Sequence, residues 1–139
     1  MMEKWTVTDV AERFEEAVAT LRRLPPVKVQ KHFNSWPVVV HSTVELLRQE
    51  KKPLKLGPPS ASAISRMEEC FDWIFWLEGE TERRIVWLRA QKVYWKQICW
   101  RVGYSRTKAW EIHTIALLKI VTRLNTRQMA GKYVRTKKD

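Results

Sequence analysis

Residues 101–110 read RVGYSRTKAW. Gly103, Tyr104 and Ser105 stand directly before a basic stretch whose composition continues as a helix. Glycine takes the left-handed backbone that ends one helix, and a serine hydroxyl caps the next by accepting from its first N–H groups. Two readings compete for this joint. It is either the turn of a helix-turn-helix, with the helix from Ser105 entering a DNA groove, or an ordinary corner in a small basic bundle.

The flanks favour the first. "TERRIVWLRAQ" (81–91) and "WKQICWRV" (95–102) read as short helices, and "SRTKAWEIHTIALLKIVTRLN" (105–125) as a long one. A helix-turn-helix needs two helices crossing steeply over a turn of about three or four residues, with a small residue at the crossing. Ile98 supplies the buried anchor, Cys99 the small contact, Gly103 the turn and Tyr104 a half-buried plug. Ala109 and Trp110 then turn into the core. These six residues are the expected scaffold.

The rest of the chain also reads as helix, so the fold class is all-α: a small helical bundle with a C-terminal helix-turn-helix. Thr8 is the expected cap of a helix in which Val10, Phe14, Ala17, Val18 and Leu21 fall at helical spacing, closed by Pro25 and Pro26. Residues 27–35 are open between an extended piece and a loop. Ser35 and Pro37 then start a helix through Val40, Val44 and Leu47, although the Val38–Val40 run also suits a strand. "KKPLKLGPPS" (51–60) holds three prolines and a glycine and reads as a linker. Ser60 caps a helix running to Gly79, whose stripe of Ile64, Met67, Phe71, Ile74 and Phe75 is widened by Cys70, Trp73, Trp76 and Leu77. The expected organisation is an N-terminal helical subdomain over 1–52, a linker over 53–59, a DNA-binding domain over 60–125 and a basic flexible tail over 126–139.

Charge points to the partner. The 139 residues carry a net charge of +11, and residues 83–139 hold 15 basic side chains against only Glu111 and Asp139. Such a segment repels itself unless a polyanion meets it, which implies double-stranded DNA; the bland alternative is a solvated basic face.

At this point a resemblance enters. "RRIVWLRAQKVYWKQICWRVGYSRTKAW" followed by "ALLKIVTRL" resembles the helix-turn-helix of sigma-factor region 4. The matching residues are Leu88-Arg89, Trp95, Ile98-Cys99, Gly103-Tyr104-Ser105, and Ala116-Leu117 with Ile120. Cys99 and Gln97 depart from its usual alanine and acid, and no promoter-melting region is visible. The whole chain is also similar to uncharacterised helix-turn-helix proteins of alphaproteobacterial phages and prophages. The first resemblance implies a docking mode in which the helix from Ser105 lies in a major groove.

With the scaffold inward, Arg106, Thr107, Lys108 and Glu111 face outward as candidate base readers. Arginine can fork to guanine O6 and N7, and a glutamate can accept from cytosine N4. Lys96, Arg101, Ser105, His113, Arg127, Lys132, Arg135, Lys137 and Lys138 are the phosphate candidates. If the helix is not in a groove, Glu111 instead pairs with Lys108.

Other classes fit less well. His32, His41 and His113 are scattered, and no P-loop motif is present, so no enzyme, metal or cofactor is expected. Two cysteines outside any C-x-x-C, an opening charged throughout and no long apolar run imply a cytoplasmic protein without a membrane segment. The expected function is a sequence-specific transcriptional regulator of phage or prophage type. Its alternative is a terminase-like DNA-packaging subunit that oligomerises through its helices. RNA polymerase, or a second copy meeting Phe71, Trp73, Phe75 and Trp76, is the further expected partner.

Overall fold

The computed structural model describes residues 4–50 and 57–138, without the side chains of 26, 27, 49, 50 and 129–138. Seven α-helices follow one another with no strand among the described residues: α1 (Val7–Arg23), α2 (Pro26–His32), α3 (Val38–Glu50), α4 (Ala61–Trp76), α5 (Glu80–Ala90), α6 (Trp95–Val102) and α7 (Arg106–Lys138). The chain is therefore all-α.

Capping chemistry sets most boundaries. Thr6, not Thr8, caps α1: its Oγ1 accepts from Asp9 N at 3.2 Å while Asp9 Oδ2 accepts from Thr6 N at 3.0 Å. This reciprocal capping box satisfies two otherwise free donors, an advantage Thr8 does not have. The ambiguous stretch 27–35 is α2 with a 3-10 turn over Phe33–Ser35. Ser35 does not cap α3, because its hydroxyl donates backwards to His32 O at 2.7 Å. The three valines are helical, with Val40 and Val44 buried four residues apart, so packing overrides their strand propensity.

Ser60 caps α4 by accepting from Ala63 N at 3.1 Å, as expected. The helix nevertheless stops at Trp76 rather than Gly79. Arg83 reaches back from α5, donating to Leu77 O at 2.8 Å and Phe75 O at 3.3 Å. It thereby satisfies carbonyls that a helix end leaves free. The longer discrepancy is α7, which continues through 125 to Lys138. No proline stands between Thr126 and Lys138, so the helical hydrogen bonds can continue where apolar periodicity fades, and Gly131 weakens the helix without ending it.

One buried cluster extends from Val10 to Leu124. It joins α1, α3, α4, α5 and α7, so helices on both sides of the expected linker contribute to one core. Trp87 Nε1 donates to Thr43 Oγ1 at 3.0 Å across that core, and Asn125 holds both backbone polar groups of Trp5 at 2.8 and 3.1 Å. Of the linker, Gly57 and Pro58 are tied down through their carbonyls to Arg23; residues 53–56 lie outside the described residues. A second, smaller cluster of Ile85, Leu88, Ile98 and Ala109 fixes α5, α6 and α7 against one another. The candidate site is built on that cluster.

Candidate nucleic-acid interface

Two left-handed residues shape the region. α5 ends in a Schellman motif: Val93 N donates to Leu88 O at 3.2 Å and Lys92 N to Arg89 O at 2.9 Å, with Lys92 at φ 64°. Gly103 ends α6 at φ 79°, its N–H donating to Cys99 O at 2.8 Å. Beyond it Ser105 Oγ accepts from Lys108 N at 3.2 Å, which caps α7 as the sequence predicts. Ile98 and Ala109 are fully buried, and Cys99 packs beside them. The glycine turn, the cap at Ser105 and the contact of Ile98 with Ala109 are thus present at this corner.

One scaffold assignment is corrected: Trp110 is 53% exposed and does not turn into the core, while Tyr104, expected half-buried, is 43% exposed. Ala109 and Ile112 already fill the contact with α6, and Trp110 falls one helical step to the side of them.

The outward set on the first two turns of α7 is therefore Arg106, Thr107, Lys108, Trp110 and Glu111, all exposed. Lys96 and Arg101 are exposed on α6, across the corner. Among the described residues none of Lys92, Lys96, Arg101, Arg106 or Lys108 forms a side-chain ion pair. Glu111 does not pair with Lys108. The ion pairs lie elsewhere: Arg66 with Glu16 at 2.8 Å, Lys119 with Glu82 at 3.2 Å, Arg84 with Glu80 at 3.8 Å and Arg13 with Glu69 at 4.0 Å. None of these four pairs involves a cation of the corner.

Several phosphate candidates have other work. His113 is half-buried with its ring edge-on to Trp95 at 5.4 Å, and burial, then the Arg89 charge, lowers its pKa to about 4. It brings no charge to an anion site near neutrality. Arg127 lies over the Trp76 ring at 5.4 Å. The side chains of Lys132, Arg135, Lys137 and Lys138 lie outside the described residues. Of the proposed self-association face, Phe71 and Trp73 are core residues and Trp76 is half-buried beneath arginines, leaving Phe75 at 47% exposure. Apolar periodicity marks a buried face without saying whether the same chain buries it.

Sequence reading missed Trp100, 89% exposed beside Arg101, together with Lys92 and Tyr94 at the α5–α6 connection. Nothing local marks Trp100 as outward. Lys92 was hidden because its helix-ending position usually carries glycine.

Candidate ligand chemistry elsewhere is sparse. Among the described residues no three His, Cys, Asp or Glu side chains converge on a metal position, and no helix is long and apolar enough to cross a membrane. Cys70 is buried, its thiol donating to Arg13 O at 3.4 Å, and burial raises its pKa to about 12. That thiol is packing, with no nucleophilic character.

The fold and site define an all-helical protein with a capped helix and uncompensated cations at one corner. It belongs to the DUF6362 family, a domain of unknown function whose sequence model matches residues 22–120. That span includes the whole corner and ends at Ile120 within α7. No curated protein and no solved structure matches the chain.

Proposed function

We propose that the protein binds double-stranded DNA in a sequence-specific manner and acts as a transcriptional regulator, by binding and without catalysis. The observation that carries this reading is the unpaired cation set Lys96, Arg101, Arg106 and Lys108 around the capped start of α7. A helix presenting its first turns, with its neighbour's cations alongside, suits a major groove: α7 reads base edges while α6 meets phosphate. The resemblance of the sequence around Gly103 to the helix-turn-helix of sigma-factor region 4 implies the same docking mode. The packaging-subunit alternative is weaker, since its aromatic ring-forming face is mostly core.

The test is the salt dependence of duplex binding by the full chain. If roughly six phosphates are neutralised, log K falls with log salt at a slope near about −5. A slope shallower than about −2 would overturn the proposal.

A further inference from the structure

An open cleft of about 510 Å³ lies between α1, α5 and α7. It has the size of a small-molecule site, and its composition fits one: an apolar floor and a few polar groups on the rim. Phe14 and Leu117 form part of the floor, while Arg89, Lys92 and Tyr94 stand on the rim against a single acid, Glu15.

We propose that this cleft binds an aromatic ring carrying a phosphate, that is, one nucleotide, with the ring beside Tyr94 over the apolar floor and the phosphate on Lys92. Three observations converge on this. The rim carries two cations against one carboxylate, so it favours an anion. Arg89 is fixed in place, donating to Val93 O at 3.0 Å and stacking on Trp95 at 5.1 Å, whereas Lys92 and the exposed Tyr94 ring are unengaged among the described residues. Lys92 and Tyr94 also sit on the short α5–α6 connection, which the Schellman turn at Lys92 holds in place.

The wall supplies the remaining chemistry. His113 is uncharged, so it offers an imidazole edge to a base without adding a competing anion site. Arg106, Trp110, His113 and Leu117 follow at i, i+4, i+7 and i+11, which places them on one stripe of α7. The stripe leads from the first turn of α7 into the cleft. The same chemistry therefore has two sources: a free mononucleotide, or an unpaired nucleotide of a strand lying along α7. The proposal stands whether or not the corner docks on duplex DNA.

The experiment titrates the full chain with 5′-AMP, adenosine and inorganic phosphate, following tryptophan emission and calorimetric heat. Tyr94→Ala and Lys92→Ala are the variants, with circular dichroism confirming that each remains folded. AMP should saturate the protein, adenosine and phosphate alone should bind far more weakly, and each variant should weaken AMP by about tenfold or more. A blunt duplex and the same duplex with an unpaired 5′-phosphorylated adenine overhang distinguish the sources. An overhang advantage lost in Tyr94→Ala, without AMP binding, assigns the cleft to an unpaired nucleotide. AMP binding with no overhang advantage assigns it to a free one. Absence of both, or binding unchanged in both variants, overturns the proposal. Blunt-duplex affinity and its dependence on Arg106 report separately on the groove-binding reading.

Discussion

Arg123 lies over the indole of Trp76, its guanidinium carbon 4.4 Å from the ring centroid, with Arg127 on the same ring at 5.4 Å. Two arginines of α7 thereby cover a tryptophan at the end of α4, so part of the basic segment is structural. Replacing both by alanine should lower unfolding free energy by about 1 kcal/mol and shift tryptophan emission to the red. Unchanged denaturation midpoints with unchanged emission would show that the stacking contributes nothing.

The bond from Trp87 Nε1 to Thr43 Oγ1 is buried, and the Thr43 hydroxyl in turn donates to Gln91 Oε1 at 3.2 Å. Thr43→Val keeps the shape but strands an indole N–H, which costs about 1–3 kcal/mol. Thr43→Ser should retain most of the stability. Urea denaturation of the two variants checks the difference, and a Thr43→Val variant as stable as the natural protein would mean that the hydroxyl contributes nothing.

His113 makes stability depend on pH with a definite sign. Its folded pKa of about 4 lies below the ordinary value of 6.5, so the unfolded chain binds the proton more readily. Stability from this group is full above about pH 6.5 and is lost as pH falls towards about 4. His113→Gln should therefore lose less melting temperature than the natural protein between pH 7 and pH 5. Parallel losses would assign the acid sensitivity to other groups.

Gly103 and Lys92 form a matched pair of left-handed positions. A Cβ at Gly103 meets nothing within 4 Å, so Gly103→Ala pays only backbone strain, about 1 kcal/mol. Gly103→Val should cost more, because branching narrows the backbone further. Lys92→Gly should leave stability level or raise it, the relief of strain being offset by greater freedom in the unfolded chain. Thermal melts that rank Gly103→Ala as neutral would remove the reason for glycine at this turn.

Arg106 and Lys108 separate reading from attraction. Both are exposed, so alanine at either should change stability by less than about 0.5 kcal/mol. On a selected site, Arg106→Ala should cost about 1–3 kcal/mol and relax one base pair, whereas Lys108→Ala should weaken all duplexes alike. Binding to cognate and scrambled duplexes in an unchanged ratio would exclude Arg106 as a base reader.

What the sequence by itself determined is local in origin. The stripe of α1, the cap at Ser60, and the run from Ile98 through Gly103 and Ser105 to Ala109 are legible because caps, left-handed turns and helical periodicity act over four or five residues. Tertiary structure alone decided which apolar faces meet their own chain and which cations stay free. Phe71 and Trp73 are covered by distant elements, while Trp110, beside the buried Ala109, is left outside. Glu82 takes Lys119, 37 residues away, and Glu16 takes Arg66, 50 residues away. Such pairings depend on how helices cross, and no local pattern encodes a crossing between residues so far apart.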